Sequence, residues 1–339
     1  MLRLPEFTLT RPKSLEAALA LLAEHGEDAL PIAGGTDLVP NMKHGLFEPK
    51  VLVSLADVAE MHGVSETEDG GIRVGAMTTL ASLAVHESIQ RYPVLAQAAS
   101  LIAGPQLREV GTLGGNVMLD TRCQWYNQTY FWRKALGYCL KKDGTECHVV
   151  AGGQKCVAAA SNDTAPALMS LGAVLELAGP EGQREVPINE FYTADGIVNR
   201  DVRPGELLVA VRIPAPTKGH HSAYGKLRTR GSIDFPLLGV ACRIDLDADG
   251  TITSADLVLT ALQARPVRVR KAVGLLEGAD SKGDDFEDII SSVAHAAHKQ
   301  CHPLANIPGD HEYRREMVPV YVKRTLRAAL AGAGPVHHI

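Results

Sequence analysis

The connection from Asp120 to Asp163 constrains this chain more than any other segment, because it is long, shows no helical or strand period, and carries four of the six cysteines. Connections of that length are normally functional or disordered, and its cysteines and aromatics argue against disorder. Something inside it must hold it together. Cys123, Cys139, Cys147 and Cys156 are spaced C-x15-C-x7-C-x8-C, which lacks the paired C-x2-C hooks of common zinc modules. Four thiolates on an irregular loop suit an iron–sulfur cluster. Two simpler readings stay open from spacing alone: core cysteines scattered by chance, or a zinc-stapled binding module. The neighbours favour the cluster. Trp125, Tyr126, Tyr130, Phe131, Trp132 and Tyr138 are six of the 16 aromatics and include both tryptophans, and a dry aromatic wall is what a redox cluster requires. The same aromatics could equally form an ordinary core or a subunit contact. His148, beside Cys147, reads as a surface or outer-shell residue, while Cys242 and Cys301 read as packing cysteines.

At 339 residues with 45% apolar content, the chain exceeds one ordinary core, so two or three domains are expected. The 39 acidic and 34 basic residues give a net charge of −5 without long runs of one sign. That leaves no electrostatic footprint for nucleic acid or a membrane surface. The first residues hold early charges and no apolar leader, and no run of about 18 apolar residues occurs. The reading is cytoplasmic, where ligand cysteines fit better than disulfides.

An expected helix over 14–23, with Ser14 as N-cap, precedes a strand over 29–32, a glycine loop, a helix with Pro40 in its first turn, and a strand over 51–55. This βαβ unit closes a first subdomain over 1–57. A second, over 58–216, opens at Ile72, has helices over 79–85, 94–102 and 165–173 and a strand over 173–177, and contains the insert 120–162. A third module over 220–332 reads as strands over 223–229, 237–246 and 255–262, then helices over roughly 284–298 and 313–330. The fold class is therefore α+β: two α/β subdomains and a C-terminal antiparallel sheet with helices. The tail from Ala331 to Ile339 reads as frayed.

Two glycine turns carry further chemistry. In Ala33-Gly34-Gly35-Thr36-Asp37 the missing side chains let backbone amides approach a ligand, and Thr36 or Asp37 can start a helix whose amides face an anion such as a pyrophosphate. The sequence is neither a Walker A loop nor G-x-G-x-x-G. Thr112-Leu-Gly-Gly-Asn116 is the second turn. Either could be a tight structural turn alone, and the pair says more. Tyr224, Lys226, Arg228 and Arg230 alternate, so a strand places them on one face. That face is either a solvated edge or one that aims Lys226 at an anionic ligand between domains. No substrate-facing acid, base or nucleophile constellation supports an independent oxidase.

The combination AGGTD (33–37), TLGGN (112–116), DTRC (120–123), YNQ (126–128), GYCLK (137–141), CHVV (147–150), DTAPAL (163–168), GELL (205–208) and YGKLRTR (224–230) resembles the FAD-binding medium subunit of the xanthine oxidase family of molybdenum enzymes. Within that family it looks most like the β subunit of the 4-hydroxybenzoyl-CoA reductases, over residues 5–330. The resemblance implies the FAD-binding fold of CO-dehydrogenase flavoproteins. It implies FAD contacts at Ile32, Ala33, Gly34, Gly35, Thr36, Asp37, Leu38 and Thr78, and at Thr112, Gly115, Asn116 and Asp120. It also implies a carboxylate near the flavin at Asp163, an apolar contact at Leu208 and a cleft lysine at Lys226. Medium subunits usually pass from the Asn of the second turn to that Asp by a short link, whereas 46 residues intervene here. By resemblance this insert holds a 4Fe-4S cluster on Cys123, Cys139, Cys147 and Cys156, as in the reductases and some bacterial aldehyde oxidoreductases. The run Val157–Asn162 is blander than the reductase pattern, which leaves the complex's substrate open. The implied partners are a large molybdopterin subunit carrying molybdopterin cytosine dinucleotide and a small subunit with 2Fe-2S clusters, in a heterotrimer that dimerises. Ferredoxin is the implied electron partner for reductive removal of a phenolic hydroxyl. The alternative is a molybdenum hydroxylase oxidising an aldehyde or N-heterocycle, with electrons leaving through FAD.

Overall fold

The computed structural model describes residues 2–337. The N-terminal unit is a three-stranded parallel sheet of β1 (Thr8–Thr10), β2 (Ala29–Ile32) and β3 (Val51–Ser54), with β3 in the centre. Helix α1 (Leu15–His25) covers it, and Ser14 caps α1 by accepting from the Ala17 amide at 3.2 Å, as a Ser before an apolar helical stripe should. The helix α2 (Leu38–Lys43) follows the first glycine loop. All four β3 residues are buried, as the middle strand of a parallel sheet requires.

The second unit is a five-stranded antiparallel sheet in the order β4-β5-β8-β6-β7, built from β4 (Val64–Glu66), β5 (Ile72–Gly75), β6 (Val174–Gly179), β7 (Gly182–Pro187) and β8 (Leu207–Ile213). Between β5 and β6 the chain forms α3 (Leu80–Val85), α4 (Glu87–Gln90), α5 (Pro93–Ser100), α6 (Pro105–Val110) and α7 (Leu113–Val117). It then forms α8 (Tyr130–Ala135) inside the insert and α9 (Thr164–Ser170) after it; α10 (Ile188–Phe191) follows β7. Sequence reading merged or missed α4, α6 and α8, each of six residues or fewer. Pieces so short give too few turns for a 3.6-residue period to register.

The third unit is β9 (His220–Leu227), β10 (Leu238–Leu246), β11 (Ile252–Thr260), β12 (Val267–Arg268), α11 (Arg270–Leu276), α12 (Phe286–Gln300) and α13 (His311–Leu330). Its sheet runs β12-β11-β10-β9-β13. The last strand, β13 (Val336–His337), corrects the frayed-tail reading, because it pairs in parallel with Gly225 and Lys226 of β9. His338 and Ile339 lie outside the described residues. β9 is consequently no solvated edge. Its Tyr224, Lys226 and Arg228 are buried and Arg230 is exposed beyond the strand end.

The units meet at a buried ionic joint. The fully buried Lys226 Nζ donates to Asp163 Oδ2 at 3.1 Å, to the Leu101 carbonyl at 3.0 Å and to the Asp234 carbonyl at 3.4 Å. Tyr224 Oη donates to Asp163 Oδ1 at 2.8 Å. One charge from each unit thus fully satisfies the other. A second, surface network tightens β7 and β8: Arg184 is bidentate to Glu206 at 2.7 and 2.8 Å, and the Arg203 amide donates to the same carboxylate at 2.7 Å.

Removing one member of the joint strands the other's charge in the core, which costs about 3–5 kcal/mol. Lys226→Met should therefore lower stability to urea by about that amount, and adding Asp163→Asn should restore more than half of it; additive losses would contradict the pairing. The Arg184 hydrogen bonds hold the Glu206 carboxyl below its ordinary range, so its stabilisation is present above the unfolded glutamate pKa and is lost as pH falls through the folded one. Glu206→Gln should cost about 1.5–3 kcal/mol at pH 7 and flatten the acid limb of the stability profile. An unchanged acid limb would remove Glu206 from that role.

Candidate flavin and cluster site

The first glycine loop leaves β2 at Ile32 and enters α2 at Leu38. Gly35 sits at φ +69°, a left-handed conformation suited to glycine. A Cβ on Gly34 would fall 1.9 Å from the Val110 carbonyl oxygen, so only glycine allows this approach. Among the described residues, the backbone amides of Gly34, Gly35, Thr36 and Asp37 donate to no protein acceptor. Consecutive free amides at a loop-to-helix junction form an anion-binding concavity. Asp37 stands at the N-cap position without capping the helix. Its carboxylate is diverted to Arg122 Nη1 at 2.9 Å and Asn41 Nδ2 at 3.0 Å.

The second turn is built differently. Thr112 Oγ1 accepts the Gly115 amide at 3.0 Å, the Leu113 amide reaches the Thr78 carbonyl at 2.9 Å, and the Gly114 amide reaches the Ala76 carbonyl at 2.8 Å. Asn116 Oδ1 accepts from both the amide and hydroxyl of Thr164, at 3.0 and 2.6 Å. The Gly115 amide is thus used in the cap of the short helix α7. The two turns still meet, since a Cβ on Gly111 would lie 3.7 Å from Thr36 Oγ1. Thr78 is buried and donates to the Gly63 carbonyl at 3.1 Å.

Lys226 is buried and bonded to the protein itself. Three protein oxygens occupy its ammonium, so it faces Asp163 and holds that carboxylate beside the second turn. Burial raises the Asp163 carboxyl above its ordinary range, against the pull of Lys226 and Tyr224. Leu208 is buried opposite Leu177 in the main core. The loop from Arg228 to Leu237 folds against the turn after α5, with Arg228 bound to Asp234 and the Ile233 amide donating to the Ala103 carbonyl at 3.1 Å.

The insert is rooted in this cleft. Arg122, immediately before Cys123, exchanges backbone hydrogen bonds with Ala159 at 2.8 and 2.7 Å, binds Asp37, and lies 3.9 Å from the centroid of the Phe235 ring. Sequence reading quoted Arg122 only as part of a motif, because an arginine next to a cysteine gives no sign of its distant partners. Asp120 anchors the same root: Lys141 Nζ donates to its Oδ1 at 2.8 Å, to Thr121 Oγ1 at 2.5 Å and to the Gly196 carbonyl at 2.7 Å. Buried Arg133 joins α8 to the turn after α2 through the Gly45 carbonyl at 2.8 Å.

All four insert cysteines line one small cavity of about 20 Å³, together with Trp125, Tyr126, Lys141, His148 and Val149. Cys123, Cys139 and Cys156 are buried and Cys147 is half-buried. Cys156 packs so closely on Gly196 that a Cβ there would come 2.7 Å from its Sγ. Among the described residues, no three His, Cys, Asp or Glu side chains form a group that could hold a metal ion. The four thiols thus line a common space without forming a preassembled metal site. Burial pushes the Cys123 thiol up to about 11 and raises that of Cys156, with Lys141 opposing the shift at Cys156. Metal loading therefore has to displace thiol protons. The aromatic wall is only partly as expected: Trp125 and Tyr126 line the cavity, whereas Tyr130, Phe131 and Trp132 face outward. His148 stacks on Trp125, 5.3 Å between centroids. Cys242 and Cys301 are fully buried in the C-terminal core.

No helix is long and apolar enough to cross a membrane among the described residues. Residues 5–216 match the family model described as the FAD binding domain in molybdopterin dehydrogenase, and residues 222–329 match the CO dehydrogenase flavoprotein C-terminal domain. The carbon monoxide dehydrogenase medium chain of Afipia carboxidovorans is 32% identical over 330 residues, covering 96% of this chain and 98% of that one. The aldehyde oxidoreductase FAD-binding subunit of Escherichia coli K12 is 32% identical over 327 residues, covering 94% and 95%. The xanthine dehydrogenase FAD-binding subunit of Escherichia coli O157:H7 is 29% identical over 326 residues, covering 96% of each. A crystal structure of Cu,Mo-CO dehydrogenase superposes with TM-score 0.79 at 31% identity over 98% of this chain and 100% of the other. Quinoline 2-oxidoreductase from Pseudomonas putida 86 gives TM-score 0.76 at 25% identity, covering 98% and 99%. With both of its units matched and the fold shared end to end, this chain belongs to the FAD-binding medium subunits of the molybdenum hydroxylase family.

Proposed function

We propose that the chain is the electron-transfer subunit of a molybdenum hydroxylase complex, carrying FAD in the glycine-turn cleft and a 4Fe-4S cluster on Cys123, Cys139, Cys147 and Cys156. The observation that carries the reading is that one arginine, Arg122, ties the cysteine insert to the free-amide loop. FAD exchanges one or two electrons and a 4Fe-4S cluster exchanges one, so together they connect two-electron and one-electron partners. The residues of the chain do the rest. The amides of Gly34 to Asp37 receive the pyrophosphate, Asp163 is held in place by Lys226 and Tyr224, and Lys141 places a buried cation beside the cysteine cavity. Trp125 and Tyr126 exclude water from it.

The oxidative direction, with an aldehyde or N-heterocycle as the substrate of the complex, is supported by the relatives, whose names are those of dehydrogenases and oxidoreductases. By analogy with them, a large molybdopterin subunit and a small 2Fe-2S subunit are its partners. A second reading, a 4-hydroxybenzoyl-CoA reductase-type complex fed by ferredoxin, rests on the segments Gly137–Lys141 and Cys147–Val150. Assaying whether NAD or ferredoxin exchanges electrons with the purified complex separates the two.

Anaerobically purified Cys123→Ser protein should lose the insert's four irons and matching sulfide while retaining FAD, whereas Cys242→Ala should keep both. Iron content equal in the two variants would contradict the ligand assignment.

A further inference from the structure

A second cavity lies apart from the glycine turns. It encloses about 780 Å³ between the FAD-binding unit, which contributes Met169, Asn189 and Tyr192, and the C-terminal unit. That size is typical of small-molecule sites. The C-terminal wall comes from the segment Arg265-Pro-Val-Arg-Val-Arg-Lys271 and the end of α12, bringing Arg265, Arg268, Arg270, Lys271 and Lys299 to one space with no carboxylate among the lining residues. Only Arg268 is paired, with Asp256. Among the described residues, Arg265, Arg270, Lys271 and Lys299 form no ion pair and donate no side-chain hydrogen bond within the chain. All four are exposed, and in a chain of net charge −5 unpaired like charges around one concavity make a local positive patch that favours an anion. The first turn of α11 carries Arg270 and Lys271 and no acidic residue, the reverse of what the helix dipole favours. The amide side chains of Gln263 and Gln300 add neutral donors.

We propose that this cavity binds a phosphate-bearing small molecule, with Arg265 and Arg270 as its principal charged contacts. Planar guanidinium groups match phosphate oxygens in pairs, and the number of cations suits a diphosphate better than one carboxylate. The site is separate from the glycine turns: none of their residues lines it. The proposal therefore stands whether or not the cysteine insert carries a cluster.

The test is calorimetric titration of inorganic phosphate, pyrophosphate and ADP into the native FAD-loaded complex at low and moderate salt, with flavin absorbance followed throughout. The expected result is one site per chain, with pyrophosphate or ADP tighter than phosphate and affinity falling with salt. Arg265→Gln/Arg270→Gln should weaken binding about tenfold or more, as loss of charge-assisted hydrogen bonds requires, while Arg265→Lys/Arg270→Lys should retain part of it. Equal melting temperatures of the variants establish that folding is not the cause. ADP tighter than pyrophosphate identifies a nucleotide and equal affinities identify the phosphates alone; both support the site. Absence of binding heat, heat that tracks flavin release, or affinity unchanged by the double substitution overturns it. So does binding by the isolated chain alone, which would mean that an acidic segment of a partner subunit fills the cavity in the complex.

Discussion

The buried pairing of Asp163 with Lys226 and Tyr224 is the constraint on which the rest of the site depends. Asp163 opens α9 directly after the cysteine insert, and Lys226 lies in the sheet of the C-terminal unit. Through the Leu101 and Asp234 carbonyls, the same ammonium fixes the end of α5 and the loop after β9. A charge pair taken out of water tolerates little misplacement, because any loss of geometry leaves desolvation uncompensated. The units are thereby held at one relative position, and the cleft between them keeps a defined width.

Both roots of the insert use this fixed frame. Its entry, at Arg122, is bonded to Asp37 of the first glycine loop and stacked near Phe235 of the C-terminal unit; its exit reaches Asp163. A segment with one short helix is thus ordered by its ends, by Lys141 and Arg133, and by the shared interior of its four thiols. Three of these thiols are buried, and burial raises the Cys123 thiol above its ordinary range.

Much of this was legible in the sequence. Ser14 before an apolar stripe, buried strands bounded by turns, and the α+β division all follow from period and capping. The two glycine turns and the four-cysteine cluster were visible because glycine and cysteine are singled out by backbone freedom and sulfur chemistry. Partnership was not visible. Lys226 looked available to a ligand, since alternation gives a face and not what packs on it. The cap bond from Gly115 was not visible because it depends on the geometry of Thr112. Val336 and His337 looked frayed because a two-residue strand has no period, and the cationic cavity arises only when α12 returns beside Arg265–Lys271.

A four-iron cluster in the insert, within the same frame as the flavin loops, is proposed and has a direct spectroscopic signature. Mössbauer spectroscopy of the anaerobically isolated, iron-enriched native complex tests it most directly. The account requires a component from valence-delocalised iron of a cubane, in addition to the paired iron of two-iron centres in the small subunit. A spectrum fully described by two-iron centres would contradict it and leave the insert as a cysteine-bearing structural loop.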